Sequence, residues 1–370
     1  MMKSEKISEF LQSRVDANDF PSAVYLVAEK GEVVFTDAIG FAVVEPERIG
    51  ANVDTIYDLA SLTKVLVTGL LCAKLIENGE VDLSDRISKY FNEFDTNEKC
   101  EIKIQNLLTH SSGFQAWKPF YLISNSKSQI PNLIASEPLE NPTDSKVVYS
   151  DLNFITLGLL VEKIYGKSFD EIAEENIFTP LNLSNTFYNP PKDWQKRIAA
   201  SEKRNEFEKQ TCIEQGFDVE KYKWREHQIW GEVHDGNCFF MNGVSGHAGL
   251  FSTAFETFKI AQQFLAEESV LLSPETCQLF RTNFTPNLNE ARSIAFQLAE
   301  TKDSTASNSL SKDSFGHLGF TGTSLWIEPE TGRIFILLTN RTHARELPFA
   351  NINSTRRRFH ELAVEMLNGR

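Results

Sequence analysis

The spacing of apolar residues divides the chain into segments of different kind. Over residues 4–16, Ile7, Phe10, Leu11 and Val15 recur at helical intervals and predict a helix. Ala23 to Ala28 and Val33 to Phe35 lie on either side of Lys30-Gly31 and predict two strands joined by a turn. The far end mirrors this arrangement. Ser324 to Ile327 and Arg333 to Thr339 flank the turn Pro329-Glu330-Thr331-Gly332, and residues 353–368 predict a closing helix. Between the two ends, helical patterns run over 62–78, 84–91, 102–109, 151–165 and 168–178. Gly166 follows the fourth of these as a natural C-cap. Residues 302–314 are almost wholly polar and predict an exposed loop.

Hairpins pair antiparallel, and strands this apolar need cover on both faces. The expected fold is α/β of the α+β kind. An antiparallel sheet is flanked by the N- and C-terminal helices, and an all-helical domain is inserted between its halves. The expected division puts residues 1–60 and 240–370 in the sheet domain and 61–239 in the helical one, with the active site at their interface.

Composition narrows the function. The chain has 370 residues and a net charge of -14, which repels phosphate backbones and argues against a nucleic-acid partner. The one basic run, Arg356-Arg357-Arg358, reads as a solvated helix face. Five scattered cysteines with no C-x-x-C pair argue against a disulfide framework and a cysteine-rich zinc site. His227, His234, Asp235 and His247 lack metal-ligand spacing, so no cofactor or metal is expected. Met1 to Asp19 lacks a signal peptide's apolar run, and Val65 to Ala73 is too short to span a bilayer. A cytoplasmic protein is the expectation, with a periplasmic or secreted one as the alternative.

Several catalytic signatures are missing. There is no G-x-S-x-G and no H-E-x-x-H, and Gly166-Lys167-Ser168 has Val161 where a phosphate loop needs glycine. Ser-x-x-Lys occurs at Ser61/Lys64, Ser124/Lys127 and Ser309/Lys312, and only Ser61 opens an apolar helix. There the ammonium shares a helix face with the hydroxyl, and the free N–H groups of the helix start suit a developing oxyanion. Taken alone, these residues fit equally well a capped buried helix whose lysine snorkels to solvent.

Two later phrases shift that balance: Tyr149-Ser150-Asp151 before a helix, and His317-Leu318-Gly319 opening into Phe320-Thr321-Gly322. With Ser61-Leu62-Thr63-Lys64 they resemble, in order, the S-x-x-K, Y-x-N and K-T-G or H-x-G motifs of the penicillin-recognising serine hydrolases. That superfamily comprises class C β-lactamases, D-Ala-D-Ala carboxypeptidases and β-lactamase-like esterases. Leu107 to Phe114 and Gly246 to Thr253 are similar to further phrases of it. The resemblance implies that Ser61 is acylated and that Lys64 and Tyr149 share its proton. His317 would orient Tyr149 or the substrate, and the N–H groups of Ser61 and Phe320 would form the oxyanion hole. Trp117 and Gly319 would line the substrate site. His110 reads as a structural residue of the loop that carries Trp117, and His234 and Asp235 as pocket candidates.

Two departures matter. Asp151 stands where the pattern has Asn and should hold Lys64 protonated, which makes Tyr149 the expected base. Asn153, two residues on, is a candidate for the displaced substrate contact. His317 replaces lysine and carries only partial charge at neutral pH. That favours a small ester or amide substrate without an essential carboxylate. The alternatives are a D-Ala-D-Ala carboxypeptidase or weak β-lactamase, and, in another class, a non-catalytic penicillin-binding or ligand-binding protein. The natural substrate and the oligomeric state are not set by the sequence.

Overall fold

The computed structural model describes residues 2–370. The strands are β1 (Ser22–Glu29), β2 (Glu32–Val43), β3 (Ile49–Gly50), β4 (Tyr57–Asp58), β5 (Phe251–Ser252), β6 (Gln297–Leu298), β7 (Phe315–Leu318), β8 (Ser324–Glu328) and β9 (Arg333–Thr339). Seven form one sheet in the order β3-β2-β1-β9-β8-β7-β6, every pair antiparallel, and β4 with β5 forms a separate ribbon. N- and C-terminal hairpins meet at β1 and β9, where Val24 faces Leu338 and Val27 faces Phe335.

Side chains alternate across the strands and feed two apolar layers. Tyr25, Val27, Trp326, Phe335 and Leu337 pack against Ile7 and Leu11 of helix Glu5–Asp16 and Phe359 and Ala363 of helix Asn353–Asn368. Val24, Leu26, Leu325, Ile336 and Leu338 belong to a larger cluster that runs without a break into Leu66, Leu70, Leu107, Phe154 and Leu157 of the helical segment. Among the described residues, no helix is long and apolar enough to cross a membrane. All five cysteines are free.

Three local expectations change. Residues 84–91 hold only a short 3₁₀ turn, Ile87–Lys89, because Asp82 and Asp85 side chains take the N–H groups of Ser84 and Asp82 and compete with a helix. The helix expected over 102–109 is confined to Ile104–Leu108, preceded by Lys103, whose N–H donates to Asn106. The polar stretch 302–314 is a loop but not an exposed one. Ala306 and Leu310 are buried against the sheet and the C-terminal helix, and Thr305 O accepts a hydrogen bond from His360 Nδ1 at 2.7 Å.

Candidate active site

The helix carrying Lys64 begins just after a sharp turn. Ala60 sits at φ 48°, a left-handed conformation that turns the chain so that Ser61 starts the helix. Val65, Leu66, Val67 and Leu70 are fully buried and anchor it. The first turns, Lys64–Gly69, are π-helical, a geometry common at functional sites.

Lys64 is fully buried, and its three N–H donors all have acceptors. These are Ser61 Oγ at 3.0 Å, the His247 carbonyl at 2.9 Å and Asp151 Oδ1 at 2.7 Å. Burial works to lower the Lys64 pKa, but the charge of Asp151 and then Tyr149 outweigh it and the net shift is upward. Lys64 is therefore an ammonium at neutral pH. Asp151 opens helix Asp151–Tyr165, where a carboxylate also suits the helix dipole.

Tyr149 presents an enclosed phenol oxygen beside Lys64 and Ser61, with no close hydrogen-bond partner among the described residues. Burial raises its pKa; the nearby Lys64 ammonium pulls it down without reversing the direction. Its ring lies 5.5 Å from that of His317 and 4.7 Å from that of His110. His110 is buried, accepts from Ser150 N at 3.1 Å, and holds the Tyr149 segment. The partial charge expected of His317 does not survive burial. Burial first, then Arg292 and Lys64, push its pKa well below the ordinary histidine value, so the ring is neutral at pH 7. Its Nδ1 lies 2.8 Å from the Leu318 carbonyl, so Nδ1 carries the proton and Nε2 keeps a lone pair.

Ser61, Trp117, Tyr149, Asp151, His317 and Phe320 line one cavity of about 630 Å³, with Gly319 beside them. The N–H groups of Ser61 and Phe320 are not taken by any hydrogen bond among the described residues. Gly319 is explained by protein packing: a Cβ there would lie 2.6 Å from Leu59 O and collide with Thr323 Oγ1. Asn153 is not in the cavity. It is fully buried, accepting from Ser112 Oγ at 2.6 Å and touching His110 Nδ1 at 3.3 Å. Helix Asp151–Tyr165 turns it away from Ser61, and it braces the loop behind the site.

The sequence reading missed several charged cavity residues. Arg356, read as solvated, is 5% exposed and reaches the cavity, while Arg357 is half-buried on the carbonyls of Asp303 and Ser304 and Arg358 is exposed. Its phase with Phe359, His360 and Ala363 marks the buried face of its helix, so the signal was present. Arg341 and Arg292 also line the cavity, and no local pattern points to them. Arg292 is 4% exposed; Nη2 pairs with Glu290 at 2.6 Å, while Nε and Nη1 have no partner.

The family model for Beta-lactamase matches residues 7–355. The chain belongs to the β-lactamase family. A relative from Escherichia coli (strain K12), named "Putative D-alanyl-D-alanine carboxypeptidase", is 31% identical over 366 residues, covering 92% of this chain and 82% of the relative. Among solved structures, EstCE1, a hydrolase with promiscuous acyltransferase activity, superimposes with a TM-score of 0.75 at 18% identity over 97% of both chains. A class C β-lactamase from Rhodobacter sphaeroides gives a TM-score of 0.72 at 16% identity over 99% of this chain and 100% of its own. These structural likenesses carry the β-lactamase fold. This β-lactamase-family chain is thus a hydrolase of the superfamily that includes the penicillin-binding proteins.

Acidic residues also line this β-lactamase-family cavity, Asp235 close to Asp151 among them. Asp235 accepts from Cys238 N at 2.7 Å and pairs with His247 Nε2 at 2.9 Å. Burial opposes its ionisation, but His247 and the Cys238 N–H win and its carboxyl titrates below the usual range. Glu208 is buried and pushed up to about 7 by burial and by Asp235; it accepts from Gly236 N and Tyr121 OH. His234 pairs with Glu202 at 2.7 Å, which outweighs its burial and raises its pKa. Ligand-type atoms of Asp151, Asp235 and His247 lie within 4.8 Å of one another. The Lys64 ammonium, 2.7 Å from Asp151, already supplies a cation there, which disfavours a metal.

Proposed function

We propose that this protein hydrolyses a small ester or amide through an acyl-enzyme on Ser61. The observation that carries the reading is the contact of Ser61 Oγ with Lys64 Nζ at 3.0 Å, in a cavity that also receives two unengaged N–H groups, of Ser61 and Phe320. Lys64, an ammonium with every N–H donated, has no lone pair to offer. It stabilises the alkoxide that forms on Ser61, and Tyr149 in its phenolate form takes the hydroxyl proton. The carbonyl oxygen then collects negative charge between the two N–H groups. Collapse of that intermediate passes the proton from Tyr149 to the departing alcohol or amine. Water attacks the acyl-enzyme along the same route, and Ser61 regains its proton.

A specific observation favours a second, narrower reading in which the leaving group ends in a carboxylate, as in a D-alanyl peptide. Neutral His317 supplies no charge, yet Arg292, Arg341 and Arg356 all line the same cavity, and among the described residues neither Arg341 nor Arg356 pairs with a carboxylate. Arg341 spends Nε and Nη1 on the carbonyls of Phe320 and Ala350. Three guanidinium groups lining one cavity suit an anion.

Intact-mass spectrometry of the wild type and Ser61→Ala, after exposure to p-nitrophenyl acetate, benzylpenicillin and an acyl-D-Ala-D-Ala peptide, tests both readings. An adduct confined to the wild type, with turnover, is the expected result. No adduct with any of the three removes Ser61 as nucleophile. Turnover of the ester with no detectable cleavage of the peptide removes the narrower reading.

A further inference from the structure

The acyl-enzyme chemistry requires the N–H groups of Ser61 and Phe320 to face one point, although they belong to segments about 260 residues apart in sequence. One buried side chain outside the three motifs touches what holds both. Asp58, 6% exposed at the end of β4, accepts Ala60 N on Oδ1 at 2.9 Å and His234 N on Oδ2 at 2.8 Å. The first bond closes an Asx-type turn two residues on, and it holds Ala60 in the left-handed conformation that an L-residue otherwise avoids. That conformation aims the next N–H, that of Ser61, into the cavity.

The backbone of the same turn grips the other donor. Thr321 Oγ1 donates to the Asp58 carbonyl at 2.8 Å and Thr323 Oγ1 to the Leu59 carbonyl at 3.0 Å. These two threonines lie one and three positions after Phe320, in a loop tightened by Gly319 N donating to Thr323 O at 2.8 Å. The absence of a side chain at Gly319 allows that loop to approach Leu59 O closely. Through Oδ2, Asp58 also fixes His234, whose ring stacks on that of Phe320 at 5.3 Å.

From these contacts we infer that Asp58 is a positioning residue: its carboxylate sets the spacing and direction of the two N–H groups that receive the oxyanion. The inference rests on the acyl-enzyme reading of Ser61 given above. Only a carboxylate fits, because two N–H donors approach its two oxygens from different segments. An amide offers one acceptor and one NH₂, so either Ala60 N or His234 N would face a donor.

The test compares Asp58→Asn, Thr321→Val and Thr323→Val with the wild type, using p-nitrophenyl acetate and a boronic acid that mimics the tetrahedral intermediate. Active sites are titrated so that turnover refers to folded enzyme. Loss of one oxyanion donor costs roughly 100- to 1000-fold in kcat, and a misplacement near 1 Å about 100-fold. The expected result for Asp58→Asn is therefore a kcat about 100-fold lower with KM within about 3-fold, and boronate affinity weakened in parallel. The threonine variants should lose kcat in the same pattern, each by about 10-fold. Should Asp58→Asn not fold, the two threonine variants decide the matter. Turnover per titrated site equal to wild type, with only the melting temperature lowered, would overturn the positioning role. Failure of the wild type itself to form an adduct would instead overturn the Ser61 reading, so the two failures are distinguishable.

Discussion

Replacing Asp151 with asparagine should remove the charge that fixes Lys64 as an ammonium and lower the pKa of both Lys64 and Tyr149. Burial is the largest influence on Lys64 and lowers its pKa; the carboxylate 2.7 Å away is the next and reverses the sign. An opposite charge at such range is worth about 1–3 pKa units, and each unit is about 1.4 kcal/mol. The asparagine oxygen can still accept the Lys64 N–H, so the geometry survives while the charge is lost. Lys64 should then fall by about 1–3 units with burial opposed mainly by Tyr149. Tyr149 should fall as well, because the Asp151 charge also raises it.

Both shifts act in the same direction on the reaction. In the wild type the base is a minor phenolate whose pKa lies above the usual tyrosine value, so kcat/KM should climb with pH through neutrality without levelling below about pH 10. In Asp151→Asn that rising limb should move to lower pH by about 1–3 units. Part of the gain at pH 7 is lost because a weaker base removes the proton more slowly. The assay is kcat/KM for p-nitrophenyl acetate from about pH 6 to about pH 10, with thermal melts of both proteins to verify folding. A rising limb left at its wild-type position, in a folded variant, would refute the claim that the Asp151 charge sets the proton affinity of the Tyr149–Lys64 pair.

Tyr149→Phe should lower kcat by about 100- to 10,000-fold and abolish the rising limb, with the ring packing against His110 and His317 kept; a steady-state pH profile checks this. Arg292→Gln should reduce kcat/KM for a carboxylate-ended peptide by about 10- to 100-fold while a neutral ester is little affected, read from the ratio of the two substrates. Glu208 concerns stability. Its folded pKa is raised to about 7 from 4.5, so its stabilising contribution is complete below the unfolded pKa and is lost as pH rises through about 7. The wild type should lose about 3 kcal/mol between pH 5 and pH 8 from this group, and Glu208→Gln, isosteric with the protonated acid, should lose none of it; urea denaturation at both pH values measures the difference.

What the sequence by itself determined is mostly local. The two hairpins, the terminal helices and the head of the Ser61 helix follow from apolar spacing over a few residues, and the structure keeps them. The order Ser61-Lys64, Tyr149, His317 was legible because the motif residues are adjacent or nearly so within each phrase, and all but the buried Lys64 line one cavity with it bound to Ser61. Short-range periodicity failed where side chains compete for the backbone, as Asp82 and Asp85 do, and where a polar loop hides two apolar residues, Ala306 and Leu310.

Only the tertiary structure decided the charges. The sequence assigned His317 partial charge from its ordinary pKa; burial beside Arg292 and Lys64 makes it neutral. Arg356 belongs to a basic run that reads as solvated, yet the helix face it occupies is buried against the sheet, and it meets Arg341 and Arg292 around one cavity. Asn153, two positions from Asp151, faces inward because successive helix residues turn by about 100°. A protonation state depends on desolvation and on partners brought in from distant parts of the chain, and no window of sequence contains either.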